Sequence, residues 1–378
     1  MVRLPAQRID AIDTLRGIVM ALMLVDHVRE FFYLHRQVGD PMDLTSVDPA
    51  LFFTRLASHW CAPIFVFLTG VGAWCYGQKF ADPRPATSRY LLKRGLFLVV
   101  LELTVINFAW TFAFPPKMIY LQVIWAIGLS MLALAALLWL PRSGQFLVGI
   151  AIVAGHHLLD AIHVAPGETG QLLWAILRDR APIDFFGVPA RTSYPVLPWF
   201  GVILLGYAAG PLYARTAAPA WRARWLLATG GGALLLFLLL RWLDVYGDHP
   251  RQAGAGLLGQ AMSWLNLTKY PPSLLFVLLT VGCGLLLLAA LERWPRSRFW
   301  SDLGRVPMFF YVVHLYLLHA VYLFCRHLFG AGEGGRYALD QVASIWLMAA
   351  LVLLAVYLPC RGFAAYKRRH PGGWRSYF

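Results

Sequence analysis

Long apolar segments recur from end to end of the chain, separated by shorter polar connections. They last for about 20 residues, the length that an α-helix needs to cross a bilayer, whereas strands of a membrane barrel would alternate apolar and polar residues over about 10 positions. The pattern predicts an all-α fold, a polytopic transmembrane helix bundle of about ten spans in a single integral-membrane domain over residues 1–378. The predicted spans cover residues 12–32, 52–76, 91–113, 119–140, 145–163, 195–214, 223–243, 271–292, 305–328 and 339–360.

The composition is that of a membrane-embedded chain. Hydrophobic residues make up 59% of the sequence and charged residues only 14%, and the mean hydropathy is +0.60. The formal net charge of +14 would also suit a nucleic-acid-binding protein. The basic residues, however, lie in short connections, where they orient the helices and meet anionic lipid. We therefore expect the lipid bilayer as a partner and no nucleic acid.

The distribution of Lys and Arg residues predicts the orientation of the bundle. An even number of spans places both termini on one side, and connections on that side carry roughly twice as many basic residues as the opposite ones. Since basic connections stay in the cytoplasm, both termini are predicted to be cytoplasmic. The first apolar segment contains charges and lacks a small-residue cleavage pattern, so we expect a retained helix rather than a signal peptide.

Cysteine and histidine spacings predict no metal site. The five cysteines lie in or at the ends of apolar segments, without a CxxC pair or the spacing of a Cys and His metal centre. They are expected to be small buried hydrophobes. His156, His157 and Asp160 close the fifth predicted span, where we expect a position at the membrane interface.

The first predicted span, residues 12–32, contains far more charge than a lipid-facing helix tolerates. Charged groups at membrane depth cost several kcal/mol each, so they normally face a bundle interior or a wet cavity. Spacings of three and four residues place one set of side chains in a single stripe, while Asp26 and Arg29 fall off that face. The stripe predicts a polar path and consists of Asp13, Arg16, Met20, Met23, His27 and Glu30.

His27 is the first candidate for chemistry. An imidazole takes and returns a proton near neutral pH, and Glu30 lies one helical turn away, where it can orient or polarise the ring. Such a pair suits the activation of a hydroxyl or amine nucleophile. A lone histidine bonded to a neighbouring helix for packing is the alternative, but the charged residues that share the stripe favour the functional interpretation.

Asp13 and Arg16 occupy the other end of the stripe, one turn apart, and are expected to pair near the cytoplasmic surface. At about 1.5 Å per residue, Asp13 and His27 lie roughly 21 Å apart along the helix, so they mark two depths of one path. Arg16 could meet a phosphate or polar arm that arrives from the cytosol. An interfacial arginine tied to Asp13 is the alternative interpretation.

Other polar residues are expected to complete the cavity. His59 precedes Pro63 by one turn in the second predicted span, and Tyr311 and His314 share one face of the ninth. Lys269 precedes a diproline that suits the first turn of a helix, and it is predicted to contact an acceptor or anion at the outer mouth. Tyr194 or Trp199 could stack against a sugar, although packing or a membrane-belt position is favoured for either one.

Five segments, taken in order, resemble the bacterial members of the heparan-α-glucosaminide N-acetyltransferase catalytic-domain family. The resemblance implies a transmembrane acyltransferase of the bacterial inner membrane, in which cytosolic acetyl-CoA or another acyl-CoA is the cosubstrate and a glycan on the far side is the acceptor. The segments are IDTLRGIVMALMLVDH, CAPIFVFLTG, YPVLPWFGVILLGYAAG, KYPPSLLFVLLTVG and LGRVPMFFYVVHLYLLH.

The resemblance transfers roles to only some residues. In the related acyltransferase-3 group, the first helix has an Arg in a D-x-x-R start and a histidine near its far end. These two residues match Arg16 and His27. The lysosomal enzyme has its proposed catalytic histidine just after this helix, where this chain has His35 at a different spacing. The choice between His27 and His35 therefore stays open, and the lysosomal substrate is not transferred.

The leading hypothesis is an O- or N-acyltransferase in which His27 is the general base and Glu30 orients it. Asp13 and Arg16 would position the donor, while His59, Tyr311 and His314 would line the cavity. Direct transfer and an acyl-histidine intermediate stay open. A proton-coupled transporter or flippase that uses the same path is the alternative, and a b-type haem carrier is a third. A homodimer is compatible with each of these.

Overall fold

The structure, a computed structural model, describes residues 9–32, 42–44, 46–165, 167–185, 187–254, 256–294, 297–332, 335–370 and 372–378. These residues are mainly helical. The helices are α1 (Asp10–Phe32), α2 (Pro49–Ala57), α3 (Cys61–Gly77), α4 (Pro83–Leu101), α5 (Asn107–Thr111), α6 (Val123–Leu137), α7 (Arg142–Gly155), α8 (Gln171–Leu177), α9 (Leu197–Ala209), α10 (Pro219–Leu243), α11 (Gly256–Leu265), α12 (Leu274–Leu291), α13 (Arg298–Gly304), α14 (Pro307–Phe329) and α15 (Val342–Arg369).

The chain folds into two compact units. The first contains Ala62–His249 and Leu267–Glu292, and the second contains Asp10–Cys61, Pro250–Asn266 and Arg293–Phe378. Each unit is assembled from segments that are distant in sequence, and the single domain predicted over residues 1–378 stays a prediction.

The first unit contains three pairs of packed helices and a small sheet. Helix α4 packs against α6, α7 against α9, and α10 against α12. The sheet has the strand order β1-β3-β2, with β1 (Ile119–Leu121) parallel to β3 (Val188–Thr192) and β2 (Pro182–Phe185) antiparallel to it. The predicted span 119–140 therefore begins with a strand, because residues 119–121 pair with a loop segment that is far away in sequence.

In the second unit, α1 is the central helix and packs against α13, α14 and α15. Its backbone approaches α13 so closely that side chains are excluded at the crossing. A Cβ atom on Gly17 would lie 2.1 Å from the carbonyl oxygen of Trp300, and one on Gly304 would lie 1.8 Å from that of Asp13. Glycine at both positions therefore fixes the first half of α1 against α13.

Several helices are suited to a bilayer. Among the described residues, five are long and apolar enough to cross a membrane, and α6 and α9 lie in shorter apolar helices. Helix α1 has a sufficient length of 23 residues but carries six charged residues. These helices are consistent with an all-α membrane protein, while the ten spans and the side of the termini stay predictions. The five candidate spans are Pro49–Gly77, Pro219–Leu243, Leu274–Leu291, Pro307–Phe329 and Val342–Arg369.

Candidate functional site

Two buried histidines form the centre of the site. His27 on α1 is 9% exposed, and His314 on α14 is fully buried. Nδ1 of His27 lies 2.7 Å from Nε2 of His314, which is a hydrogen-bonding distance. The two rings are nearly parallel, with an interplanar angle of 7° and centroids 5.0 Å apart. The packing of α1 against α14 thus joins two titratable side chains that lie in the same unit.

The partners of His314 determine the protonation pattern of the pair. Nδ1 of His314 lies 2.7 Å from the carbonyl oxygen of Phe310, one turn earlier on α14. Since a carbonyl can only accept, this Nδ1 carries the proton, and in a neutral ring Nε2 then carries the lone pair. Nδ1–H of His27 therefore donates to His314. The lone pair of a neutral His27 is consequently on Nε2, the nitrogen that can act as a base.

Tyr311 packs beside the histidine pair. Its ring meets His27 edge-on, at 84° and a centroid distance of 5.8 Å, and meets His314 at 84° and 5.5 Å. The ring is 3% exposed. Three of the residues selected from the sequence, on two helices, therefore lie together in one cluster of rings.

Glu30 forms an ion pair with its neighbour in the chain. Its carboxylate accepts a hydrogen bond from Arg29, and it is half-exposed. An adjacent guanidinium is a stronger partner for this carboxylate than a neutral imidazole one turn away. Nδ1 of His27 contacts His314, and the expected role of Glu30 in orienting the ring stays a prediction.

Asp26 and Arg29 lie off the stripe as expected, yet they are buried. Asp26 accepts from Nε of Arg29 at 3.1 Å and also from the guanidinium of Arg55 on α2. All three residues are buried. Together with Glu30 they balance two positive and two negative charges beside His27, which lowers the cost of burying the ions. The sequence offered no signal that Arg55 would be the partner.

The other end of α1 carries a second ion cluster. Arg16 lies 3.7 Å from Asp13, as the sequence predicted. Arg305 joins this pair, at 3.8 Å from Asp13 and 3.4 Å from Asp10, and it donates to Asp302 at 2.8 Å. Sequence reasoning missed Arg305 because it precedes α14, far from α1 along the chain.

Of the two other candidate histidines, His59 and His35, the structure describes only His59. His59 lies in the helical turn Ser58–Trp60, is 2% exposed, and belongs to a segment that packs against α1. Ser58 fixes this turn by donating to the carbonyl of Arg55 at 2.7 Å. His35 lies outside the described residues. The choice between His27 and His35 therefore stays open.

Lys269 belongs to the first unit, whereas His27 belongs to the second. Its side chain is buried, and its ammonium lies 5.3 Å from the ring centroid of Tyr270. Arg180 lies 5.1 Å from the same ring, and the hydroxyl of Tyr270 donates to that of Tyr194 at 3.2 Å. Lys269 thus lies in a cluster of cations and aromatic rings, and its predicted contact with an acceptor stays a prediction.

The helices and the buried histidine pair define a helical membrane protein with a titratable site inside one helical unit. Residues 8–242 match the family model described as "Heparan-alpha-glucosaminide N-acetyltransferase, catalytic". The chain belongs to this family, which confirms the resemblance, and membership implies transmembrane acetyltransferase activity. No curated protein matches the chain significantly. The matched region includes His27 and His59 and ends before Tyr311 and His314.

Proposed function

We propose that the protein transfers an acetyl or longer acyl group from cytosolic acyl-CoA to a hydroxyl or amine of a glycan-type acceptor on the extracytoplasmic side. The observation that carries this proposal is the buried hydrogen bond between His27 and His314. Family membership supplies the reaction class, and the histidine pair supplies a base whose reactive nitrogen is defined by its neighbours.

In the proposed reaction, Nε2 of His27 removes the proton from the acceptor as its oxygen or nitrogen attacks the thioester carbonyl carbon. The tetrahedral intermediate then collapses, the carbon–sulfur bond breaks, and the CoA thiolate takes the proton back from Nε2. His314 stabilises the transient imidazolium because its Nε2 accepts the Nδ1–H of His27, while its own Nδ1–H is held by Phe310.

The ion cluster at the start of α1 is the proposed donor entrance. Arg16 and Arg305 present guanidinium groups, which recognise phosphate through paired hydrogen bonds. Asp13 holds both of them in place. Helix α1 is unbroken between Asp13 and His27, so the two groups lie about 21 Å apart along it. A cosubstrate with phosphates at one end and a thioester at the other fits this distance between the guanidinium groups and the imidazole of His27.

The proposal is tested with purified protein in liposomes that contain acetyl-CoA on one side and a panel of amino sugars and oligosaccharides on the other. The expected result is stoichiometric appearance of free CoA thiol and acetylated acceptor. Arg16→Gln should raise the KM for acetyl-CoA with little change in kcat, whereas the exposed Arg326→Gln serves as a control. Acceptor flux without any acetylated product would refute the proposal and support the transporter alternative.

A further inference from the structure

A second cluster of titratable residues lies in the first unit, where α7 ends in the helical turn His156–Leu159. One ring nitrogen each of His156 and His157 and one carboxylate oxygen of Asp160 lie within 4.8 Å of one another. The sequence predicted an interface position for these residues and no metal, because the pattern His-His-x-x-Asp differs from the familiar Cys and His spacings.

His156 has the hydrogen-bonding arrangement of a metal ligand. The side chain is 2% exposed, and Nε2–H donates to the carbonyl of Pro272 at 3.1 Å. The lone pair is therefore on Nδ1, which is buried and has no hydrogen-bond partner among the described residues. A buried acceptor without a partner costs about 1–3 kcal/mol. Metal-ligating histidines characteristically donate their other N–H to a backbone carbonyl, as His156 does.

His157 and Asp160 already have the spacing of two ligands of one ion. Nδ1 of His157 lies 3.1 Å from the carboxylate of Asp160, close to the roughly 3.3 Å between neighbouring ligands of a tetrahedral Zn²⁺ with bonds of about 2.0–2.1 Å. The other oxygen of Asp160 pairs with Arg178. The nearby carboxylate of Asp248 adds negative charge that offsets the guanidinium.

We propose that His156, His157 and Asp160 bind a divalent first-row transition metal ion of the Zn²⁺ type. Two imidazoles and one carboxylate form a donor set that suits Zn²⁺ and Co²⁺ and leaves a fourth position open. On binding, the ion replaces the proton on Nδ1 of His157. The ring proton then lies on Nε2, and the backbone of Gly247 is a hydrogen-bond partner of this ring.

The proposed ion has a structural role. Nε2–H of His156 donates to the carbonyl of Pro272, just before α12, and this bond is kept when Nδ1 binds the ion, whereas the bond from the N–H of Leu274 to Nε2 of His157 is given up. The cluster therefore already links the end of α7 to the start of α12. An ion held there would tighten this connection, and its binding free energy would add to the stability of the first unit.

The test uses full-length protein in detergent, purified without a histidine tag, stripped with a chelator and titrated with Co²⁺ and Zn²⁺. The expected result is one equivalent bound, a visible Co²⁺ absorption band and a higher melting temperature with Zn²⁺. His156→Ala and Asp160→Asn should weaken binding at least tenfold. The control is His163→Ala, which changes an exposed histidine of the same segment and should bind as the native chain does.

Asp160 is exposed on 47% of its side chain, so Asp160→Asn keeps the test informative even where His156→Ala fails to fold. Substoichiometric binding to the native chain would overturn the proposal. Equal affinity in Asp160→Asn and native protein would overturn it as well. Acetyltransferase activity is not the readout, so this result is independent of the proposed reaction.

Discussion

Nδ1 of His27 and Nε2 of His314 lie 2.7 Å apart although 287 positions separate the two residues in the chain. The carbonyl of Phe310 fixes the proton of His314 on Nδ1. Nε2 of a neutral His314 is then the acceptor, and Nδ1–H of His27 is the donor. The proposed base at Nε2 of His27 would thus depend on His314, which lies beyond the region that matches the family model.

Replacing His314 should impair turnover while leaving donor binding intact. His314→Ala removes the acceptor of His27 Nδ1–H, so we expect kcat to fall by about 10²-fold or more, within the range for general-base catalysis, at unchanged KM for acetyl-CoA. Steady-state kinetics in liposomes measures both parameters. His327→Ala, at an exposed position of the same helix, should retain native turnover. A raised KM with native kcat in His314→Ala would assign this residue to binding instead.

The variant Glu30→Gln distinguishes two roles for this carboxylate. The sequence predicts that it orients His27, whereas in the structure it pairs with Arg29. The half-exposed carboxylate pairs with Arg29 rather than with His27, and such ion pairs contribute about 0–1 kcal/mol. We therefore expect kcat to change by less than about fivefold, measured in the same assay. A loss of a hundredfold or more would show that Glu30 orients the base after all.

Breaking the buried ion cluster should destabilise the second unit. Arg55→Ala leaves the buried Asp26 with fewer partners, and removal of one member of a buried pair costs about 3–5 kcal/mol. Thermal or denaturant unfolding in detergent measures the loss. The exposed Arg326→Ala is the control, for which a change under about 0.5 kcal/mol is expected. Equal stability of the two variants would show that the cluster is not a buried ionic network.

The crossing of α1 and α13 gives a steric prediction. A Cβ on Gly304 would overlap the backbone carbonyl of Asp13, so Gly304→Ala should cost about 1–3 kcal/mol or more through displacement of the helices. A Cβ on Gly362 of α15 would meet no neighbouring atom within 4 Å among the described residues, and Gly362→Ala should stabilise the helix by up to about 1 kcal/mol. Melting temperatures that shift in the same direction for both variants would contradict this packing.

The periodicity of the sequence predicted which side chains lie together on one helix. It could not predict the contacts between two helices. The charged stripe of α1, the pair Asp13 and Arg16, and the shared face of Tyr311 and His314 follow from 3.6 residues per turn. The contact between His27 and His314 is set by the packing of two helices that are distant in sequence, so the period of one helix could not reveal it.

The charged residues beside the stripe are a second example of contacts that the period of one helix could not predict. Helical geometry placed Asp26 and Arg29 off the stripe, but it gave no indication that both are buried or that Arg55 pairs with Asp26. Arg305 likewise reaches Asp13 only through the crossing of α1 and α13. The strand Ile119–Leu121 was predicted as helix because three apolar residues next to a long apolar run carry no distinguishable period.

The most direct test of the account is acetyl transfer by His27→Gln, which keeps a polar side chain but removes the base. Purified native protein, His27→Gln and His327→Gln are compared in liposomes by acetylated acceptor formed per minute. We predict that His27→Gln loses activity by about 10²–10⁴-fold with native affinity for acetyl-CoA, and that His327→Gln is unaffected. Turnover by His27→Gln within about twofold of native would contradict a role for His27 as the general base.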